Sequence, residues 1–343
     1  MWRSSIRRSI GATNHPEINS SAAPLDQRHM PDYKVNEDQL LEWIDSLSNW
    51  GRWGDDDELG TLNNLSPELT KHALSLVEDG TTVSCAAPLV FNEASVDVPR
   101  PPVHFMVGAG EAYRPGDGPG RQVAMDYFGL IFHGHTVTHL DSHAHFMWDG
   151  HMYNGRPSSA VKIREGATQG DISVTHKGIV TRGVLVDAAR GRGVDFIERG
   201  DGVSVADIEK AEKDGGFKVG KGDVLLMRTG QFGERERSGP VDVNVAGSSG
   251  PLPELLPFFK ERDIAVMGTD TGNDVAPTQS EIFTNPVHQV FIPAMGGWIL
   301  DNAWLDDLAD ECARRGRWEF LINILPLRLK NVTGSPVNPV AVF

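Results

Sequence analysis

The chain has 343 residues, of which 39% are hydrophobic and 23% are charged, so it can bury a sizeable core. Its formal net charge of −15 would repel a polyanion, and no basic stripe with interleaved aromatic residues is present, which excludes nucleic acid as a partner. No run of 18 or more apolar residues occurs, which excludes a membrane-spanning segment and favours a cytoplasmic protein.

We predict that residues 1–29 form a disordered tail and that residues 30–343 form a single folded domain. The alternative is a mitochondrial targeting segment, because the chain up to residue 28 contains four arginines and only two acidic residues. Trp2, Ile6 and Ile10 also lie four residues apart, as in an amphipathic helix.

The first elements after the tail are two helices. Apolar residues at helical spacing predict a helix over 39–50. Ser66 followed by proline predicts the start of a second helix, which runs to about Glu78. Strands and proline-rich connections follow over 81–106. The glycine- and proline-rich segment 108–122 predicts a surface loop that could act as a lid over a site.

The second half of the chain alternates apolar strands with amphipathic helices, which predicts an α/β fold. The predicted strands are Ile179–Asp187, 224–227, 264–267 and 320–325, and the predicted helices are 204–214, 253–262 and 305–315. Ser204 is the expected N-cap of the first of these helices.

The two cysteines, Cys85 and Cys312, lie far apart in the sequence and form no Cys-x-x-Cys pattern. A disulfide scaffold is therefore excluded. We expect both side chains to be buried as small apolar groups.

The most informative feature is a cluster of histidines. Six of the 12 histidines lie within 19 residues, at positions 133, 135, 139, 143, 145 and 151. Two imidazoles and one carboxylate are a ligand set that suits Zn²⁺ or Mn²⁺ and leaves positions open for water and substrate. The alternative is a solvated histidine-rich strand or a set of core histidines paired with backbone carbonyls, which would demand a partner for every buried ring.

Regular secondary structure cannot bring His135, His139 and Asp141 to one metal ion. A strand would place them on one face but separate His135 from Asp141 by roughly 20 Å. A helix would pair His135 with His139 but turn Asp141 about 200° away from His139. If the three side chains share a metal ion, the chain must leave regular structure between residues 135 and 145.

The pattern His135-x-x-Thr138-His139-x-Asp141-x-x-x-His145 resembles the signature of the cyclase family, H-x-G-T-H-x-D-x-P-x-H. This family of metal-dependent hydrolases includes bacterial kynurenine formamidases and isatin hydrolases. Further blocks resemble those of the family, and especially its longer-chain branch, across roughly residues 50–343. These blocks begin at Trp53, Gly268, His288, Asp301 and Gly334.

The resemblance implies that His135, His139 and Asp141 bind the metal and that His145 is the catalytic acid and base. It implies that His288 and Asp301 support these ligands or bind a second metal ion. The implied fold is the swivelling β/β/α type, with mixed sheets and flanking helices, commonly assembled as homodimers or homotetramers.

The sequence departs from the family signature at three positions. Val137 stands in place of the motif glycine, so the backbone there does not require a conformation open only to glycine. His143 replaces the motif proline, and Asp301 replaces a glutamate whose side chain is one methylene longer.

Several other residues are weaker candidates. Arg228 could bind a substrate carboxylate or pair with a structural acid. Trp53, together with Trp50, could line an aromatic pocket or pack between helix and loop. Asp270 and Asp274 could orient ligands or cap a turn. We expect His151 and His176 to be surface or structural residues.

Together these features predict a metal-dependent hydrolase that cleaves a C–N bond of a small cyclic or linear amide, such as a lactam, imide or formamide. Metal-activated water would attack the carbonyl, with His145 moving the proton. Two alternatives use the same ligands: a non-haem Fe(II) oxygenase and a non-catalytic metal-binding protein.

Overall fold

A computed structural model describes residues 35–278 and 280–343. The predicted tail over residues 1–29 lies outside these residues. The largest element that the structure describes is a nine-stranded mixed sheet, which is accompanied by two separate two-stranded hairpins. In the described part of the chain, no helix is long and apolar enough to cross a membrane.

The helices and strands are numbered here in chain order. The helices are α1 (Glu37–Ser46), α2 (Pro67–Leu74), α3 (Ala188–Arg192), α4 (Val205–Gly215), α5 (Gln231–Ser238), α6 (Val243–Ala246), α7 (Leu255–Arg262), α8 (Pro286–Phe291) and α9 (Asp306–Arg315). The strands are β1 (Thr82–Ser84), β2 (Val103–Gly108), β3 (Met125–Gly129), β4 (His139–Asp141), β5 (Val161–Lys162), β6 (Gly166–Ala167), β7 (Ile179–Asp187), β8 (Val224–Arg228), β9 (Val266–Thr269), β10 (Trp298–Asp301), β11 (Glu319–Ile324), β12 (Gly334–Pro336) and β13 (Val340–Val342).

The large sheet has the order β1-β13-β11-β7-β8-β9-β10-β4-β12. Its centre, from β7 to β10, is parallel, and the strands on both sides of this centre pair antiparallel. Helices connect the parallel strands, as a parallel sheet requires. The predicted α/β fold class is confirmed.

The central strands are buried on both faces, because successive side chains point to opposite sides of a sheet. On β7, Val184 and Val186 pack into one hydrophobic core with α4, α7 and α8, whereas Leu185 packs into a second core with α9. Cys85 and Cys312 are free thiols, both fully buried in this second core. The expectation that both are buried small side chains is confirmed.

The predicted helix starts at Ser66 and Ser204 are confirmed, since each side chain caps its helix by accepting a backbone N–H bond. At Ser204 the cap is reciprocal, because Asp207 bonds back to the backbone of Ser204. The second helix ends at Leu74, four residues before the predicted end at Glu78, and residues 75–76 continue only as a turn. Helix ends fray in this way when no side chain fixes them.

The predicted loop 108–122 connects β2 to β3 and forms the tip of an exposed hairpin. The hairpin root, rather than its tip, adjoins the histidine segment, because β3 ends at Gly129 just before His133. A strand of this length separates root from tip by about 17 Å. A lid function for the loop stays a prediction.

Candidate metal centre

The site is built on β4, a strand of only three residues. His139 and Asp141 point to the same face of this strand, and Leu140 points into the core behind it. The antiparallel neighbour β10 places Asp301 directly opposite His139. As a result, His139 Nε2 lies 3.3 Å from Asp141 Oδ1 and 3.4 Å from Asp301 Oδ2.

The residues before β4 turn back on themselves and bring His133 to the same carboxylate. The chain bends through residues 133–137. His133 Nδ1 lies 3.0 Å from Asp141 Oδ1, and its Nε2 lies 2.9 Å from Thr333 Oγ1. The predicted departure from regular structure is confirmed, and it begins two residues earlier than predicted.

A tight turn after β4 places His145 on the outer side of the cluster. The backbone N–H of His145 donates to the carbonyl of Ser142, which closes this turn. The His145 ring stacks on that of His133 with ring centroids 3.6 Å apart, and its Nε2 lies 3.7 Å from Asp141 Oδ2. His133 and His145 have 22% and 23% of their side chains exposed, whereas Asp141 has none, so these two rings form the accessible face of the site.

The short helix α8 supplies a further imidazole. Asp274 Oδ2 lies 2.5 Å from His288 Nδ1, which leaves Nε2 of His288 3.5 Å from Asp141 Oδ2 and 3.6 Å from Asp301 Oδ2. Asp301 is held by a hydrogen bond from Asn273 Nδ2 to its other oxygen. A carboxylate behind a histidine fixes the ring orientation and is typical of metal-binding histidines.

These residues form two overlapping groups whose donor atoms lie within 4.8 Å of one another: His133, His139 and Asp141, and then Asp141, His288 and Asp301. Ligands about 2 Å from a tetrahedral metal ion are about 3.3 Å apart, which is close to the separations between the first three side chains.

The donor atoms of the first group lack hydrogen-bond partners that a cation would replace. His139 Nδ1 donates to the carbonyl of Val137, so its Nε2 is left facing the carboxylates. That Nε2, His133 Nδ1 and both oxygens of Asp141 are buried and have no hydrogen bond of acceptable geometry. Buried polar atoms without partners are rare and costly, and a divalent ion would satisfy all four of them. The residues therefore fit a metal ion.

The electrostatics of the cluster also favour bound positive charge. Burial opposes ionisation of Asp141, but the neighbouring imidazoles His145, His133, His139 and His288 outweigh it and hold the pKa of Asp141 well below its usual range. Burial alone would lower the pKa of His139, but the charges of the two carboxylates raise it to about 9. The raised pKa of His139 favours positive charge on this ring beside the two carboxylates.

The structure does not bring His135 into either ligand group of the described residues. Its ring lies against Gly272, where a Cβ atom would come within 3.3 Å of Nδ1, and burial lowers the pKa of His135. The first group of the described residues therefore contains His133 where the predicted ligand set has His135, and the role of His135 as a ligand stays a prediction. His139 and Asp141 both belong to this group, and their role as metal ligands stays a prediction.

His143 has a structural role. It is buried between the rings of Tyr153 and Trp298, with Nε2 3.0 Å from the carbonyl of Gly296, and burial lowers its pKa to about 4. Gly60 has a φ of +54° and passes so close that a Cβ atom there would lie 2.8 Å from His143 Cε1. This contact ties the acidic loop before Gly60 to the segment that carries the ligands.

Two of the weaker candidates, Arg228 and Asp270, form ion pairs or hydrogen bonds within the fold. Arg228 forms ion pairs with Asp187 at 3.0 Å and with Asp306 at 2.5 Å, so the structure favours its structural alternative. Asp270 is buried and accepts bonds from the backbone and hydroxyl of Thr229, and burial raises the pKa of Asp270 to about 6. Asp270 thus fixes the turn after β8.

The aromatic and surface candidates lie outside the ligand cluster. Trp53 packs beneath the guanidinium of Arg52 at 4.6 Å, and Trp50 has 46% of its surface exposed. His151 and His176 are exposed and bond to nearby backbone carbonyls, which confirms that they are surface residues.

The sequence reasoning missed the residue that shapes the bend before β4. Asn302 Nδ2 donates to the carbonyls of Gly134 at 2.7 Å and Val137 at 3.2 Å, and the Asn302 carbonyl accepts a bond from Thr138 Oγ1 at 2.6 Å. The only sequence signal was its place beside Asp301 in a block that resembles the family.

Comparisons with known proteins agree with this fold. A family model described as Putative cyclase matches residues 67–273. A comparison with curated proteins gave no match. A solved structure described as a novel cyclase is 32% identical, with a TM-score of 0.77, and the match covers 86% of this chain and 97% of that chain.

Two isatin hydrolases share the fold at lower identity. Isatin hydrolase A from Labrenzia aggregata, bound to benzyl benzoate, is 20% identical with a TM-score of 0.56, and the match covers 82% of this chain and 98% of that chain. Isatin hydrolase A from Ralstonia solanacearum is 18% identical with a TM-score of 0.52, covering 77% and 92%. The predicted resemblance and the fold class are confirmed.

Substituting His133 and His135 separately tests which of them is a ligand. His133→Ala should weaken zinc binding by at least about 100-fold, because it removes a ligand atom that faces Asp141. His135→Ala should leave the affinity within about threefold. Competition with a chromogenic chelator measures both, and the ligand set is wrong if His135→Ala gives the larger loss.

Metal binding should release protons in the neutral range. The raised pKa of His139, about 9 against 6.5, means that its contribution to stability is complete below about pH 6.5 and is lost as the pH rises through 9. Zinc needs the deprotonated ring, so affinity should rise between pH 6.5 and 8 while the metal-free protein loses thermal stability. Calorimetry in two buffers of different ionisation enthalpy should show at least one proton released per metal ion. Zero release would contradict a protonated His139.

Proposed function

The chain belongs to the cyclase family, and on that basis we propose that it is a metal-dependent hydrolase that cleaves a C–N bond of a small cyclic or linear amide. The observation that carries the proposal is the group of two histidines and one carboxylate with a further, partly exposed histidine beside it. A structural polar cluster would have no need of His145 on its accessible face.

His133, His139 and Asp141 would hold the catalytic ion, and His288 with Asp301 would hold a second ion or support the first. The donor atoms are imidazole nitrogens and carboxylate oxygens, which suit zinc or manganese. A divalent ion supplies Lewis acidity, which lowers the pKa of water and polarises a carbonyl group.

His145 is placed to move the proton. Burial lowers its pKa to about 4, with His133 and His288 acting in the same direction, so the ring is neutral at pH 7 and can accept a proton. The oxygen of water bonds to the carbonyl carbon and its proton passes to His145 Nε2. When the C–N bond breaks, the same nitrogen returns the proton to the leaving amine.

The named substrate of related folds supports the choice of an amide. Two neighbours are isatin hydrolases, and isatin is a cyclic amide. For this chain, the small-molecule amide, the lactam, imide or formamide type, and assembly as a homodimer or homotetramer are all part of the proposal.

Replacing His145 separates proton transfer from metal binding. His145→Ala should keep the wild-type metal content, because the two ligand groups do not include His145. Turnover of a responsive lactam, imide or formamide should fall by about 10²- to 10⁴-fold, the usual contribution of a general acid–base. Metal analysis and a hydrolysis assay measure the two quantities.

His151→Ala is the matched control, since His151 is an exposed histidine of the same segment and should leave both quantities unchanged. Loss of metal from the His145 variant would contradict its assigned role. A wild-type rate that disappears without O₂ would instead favour the non-haem iron oxygenase, and bound metal with no turnover would favour the non-catalytic alternative.

A further inference from the structure

A cavity of about 460 Å³ lies against His133, at the root of the β2–β3 hairpin. Arg100 and Pro102 enter the hairpin on one side of it, and Ile131 and Phe132 leave the hairpin on the other side. Because His133 lines this cavity and its Nδ1 also faces Asp141, the cavity borders one candidate ligand of the metal centre. Its volume falls within the range of small-molecule sites.

The walls of the cavity are mostly apolar. Ile131 and Phe132 contribute large side chains, and valines and prolines from the segments on either side add further apolar surface. The ring centroids of Phe132 and His133 are 4.4 Å apart, so the apolar surface extends as far as the metal-binding candidate His133. An apolar body of several carbon atoms fits such walls better than a bare inorganic ion does.

The charges in the cavity leave one cation without a partner. Asp97 forms an ion pair with Arg235, whose Nε lies 2.6 Å away. Asp242 caps α6 by accepting a hydrogen bond from the backbone N–H of Asn244. Arg100 is exposed and makes no hydrogen bond or ion pair with any described residue.

Arg100 also stands on a rigid segment. It is followed by two prolines and preceded by one, Pro99, in the order Pro99-Arg100-Pro101-Pro102. Proline fixes its own φ and restricts the residue before it, so the backbone of Arg100 loses little freedom when the side chain binds a ligand.

We propose that this cavity is the substrate pocket and that Arg100 binds an acidic group of the substrate, whose apolar body lies against Ile131 and Phe132. This inference rests on the proposed function and names its substrate class: an amide that also carries a carboxylate. The net charge of −15 repels anions in general, so an acidic substrate needs a local cation of this kind. A guanidinium can bind a carboxylate through two parallel hydrogen bonds.

The test is binding of 3-phenylpropanoate and of its neutral amide, 3-phenylpropanamide, to the full-length zinc-loaded protein by calorimetry. The wild type should bind the acid about tenfold more tightly than the amide. Arg100→Gln should weaken binding of the acid by about fivefold to tenfold and leave the amide within twofold, and Arg100→Lys should retain part of the preference.

Arg164→Gln is the matched control, because Arg164 is another exposed arginine without a partner among the described residues and does not line the cavity. It should leave both affinities unchanged. Thermal unfolding should show that all variants are folded, since both arginines are exposed.

Three results would overturn the inference. The first is equal affinity for the acid in wild type and Arg100→Gln, the second is an equal loss in Arg164→Gln, and the third is no binding of either compound. If acid binding disappears on metal removal but survives Arg100→Gln, the acid binds the metal and the inference is also wrong. Since no turnover is measured, failure here is distinct from failure of the hydrolysis assay.

Discussion

A fully buried carboxylate, Asp141, is the constraint on which the arrangement of the site depends. Removing an ionised carboxylate from water costs several kcal/mol unless opposite charge and hydrogen bonds compensate it. Here four imidazoles surround it, and three of them approach from separate segments of the chain: the bend at His133, the turn at His145 and helix α8 with His288. The imidazoles that offset the cost of burying Asp141 also create, together with it, a site for a cation.

The fold fixes these imidazoles through their second nitrogen atoms. The carbonyl of Val137 holds His139, Thr333 contacts His133, and Asp274 contacts His288. Each contact leaves the other nitrogen facing Asp141 or Asp301. Such outer contacts set the tautomer and the orientation of a metal ligand.

Much of the fold followed from local sequence signals. The serine caps at Ser66 and Ser204 predicted two helix starts, and the apolar run over Ile179–Asp187 predicted the longest strand with its observed bounds. These features depend on neighbours within a few residues, which a single sequence reveals.

The site could be predicted only in part, because its geometry depends on distant contacts. The spacing of His135, His139 and Asp141 predicted irregular backbone near these residues, and the structure contains it at residues 133–137. Whether His133 or His135 turns inward depends on Asn302 and Thr333, which lie more than 160 residues along the chain. Spacing within the histidine segment holds no information on those contacts.

Anomalous diffraction from crystals of the zinc-loaded protein tests the central claim most directly. The account predicts a zinc peak within about 2.0–2.2 Å of His133 Nδ1, His139 Nε2 and an oxygen of Asp141. A peak bound by His135 in place of His133, or one that lacks Asp141 as a ligand, would contradict it.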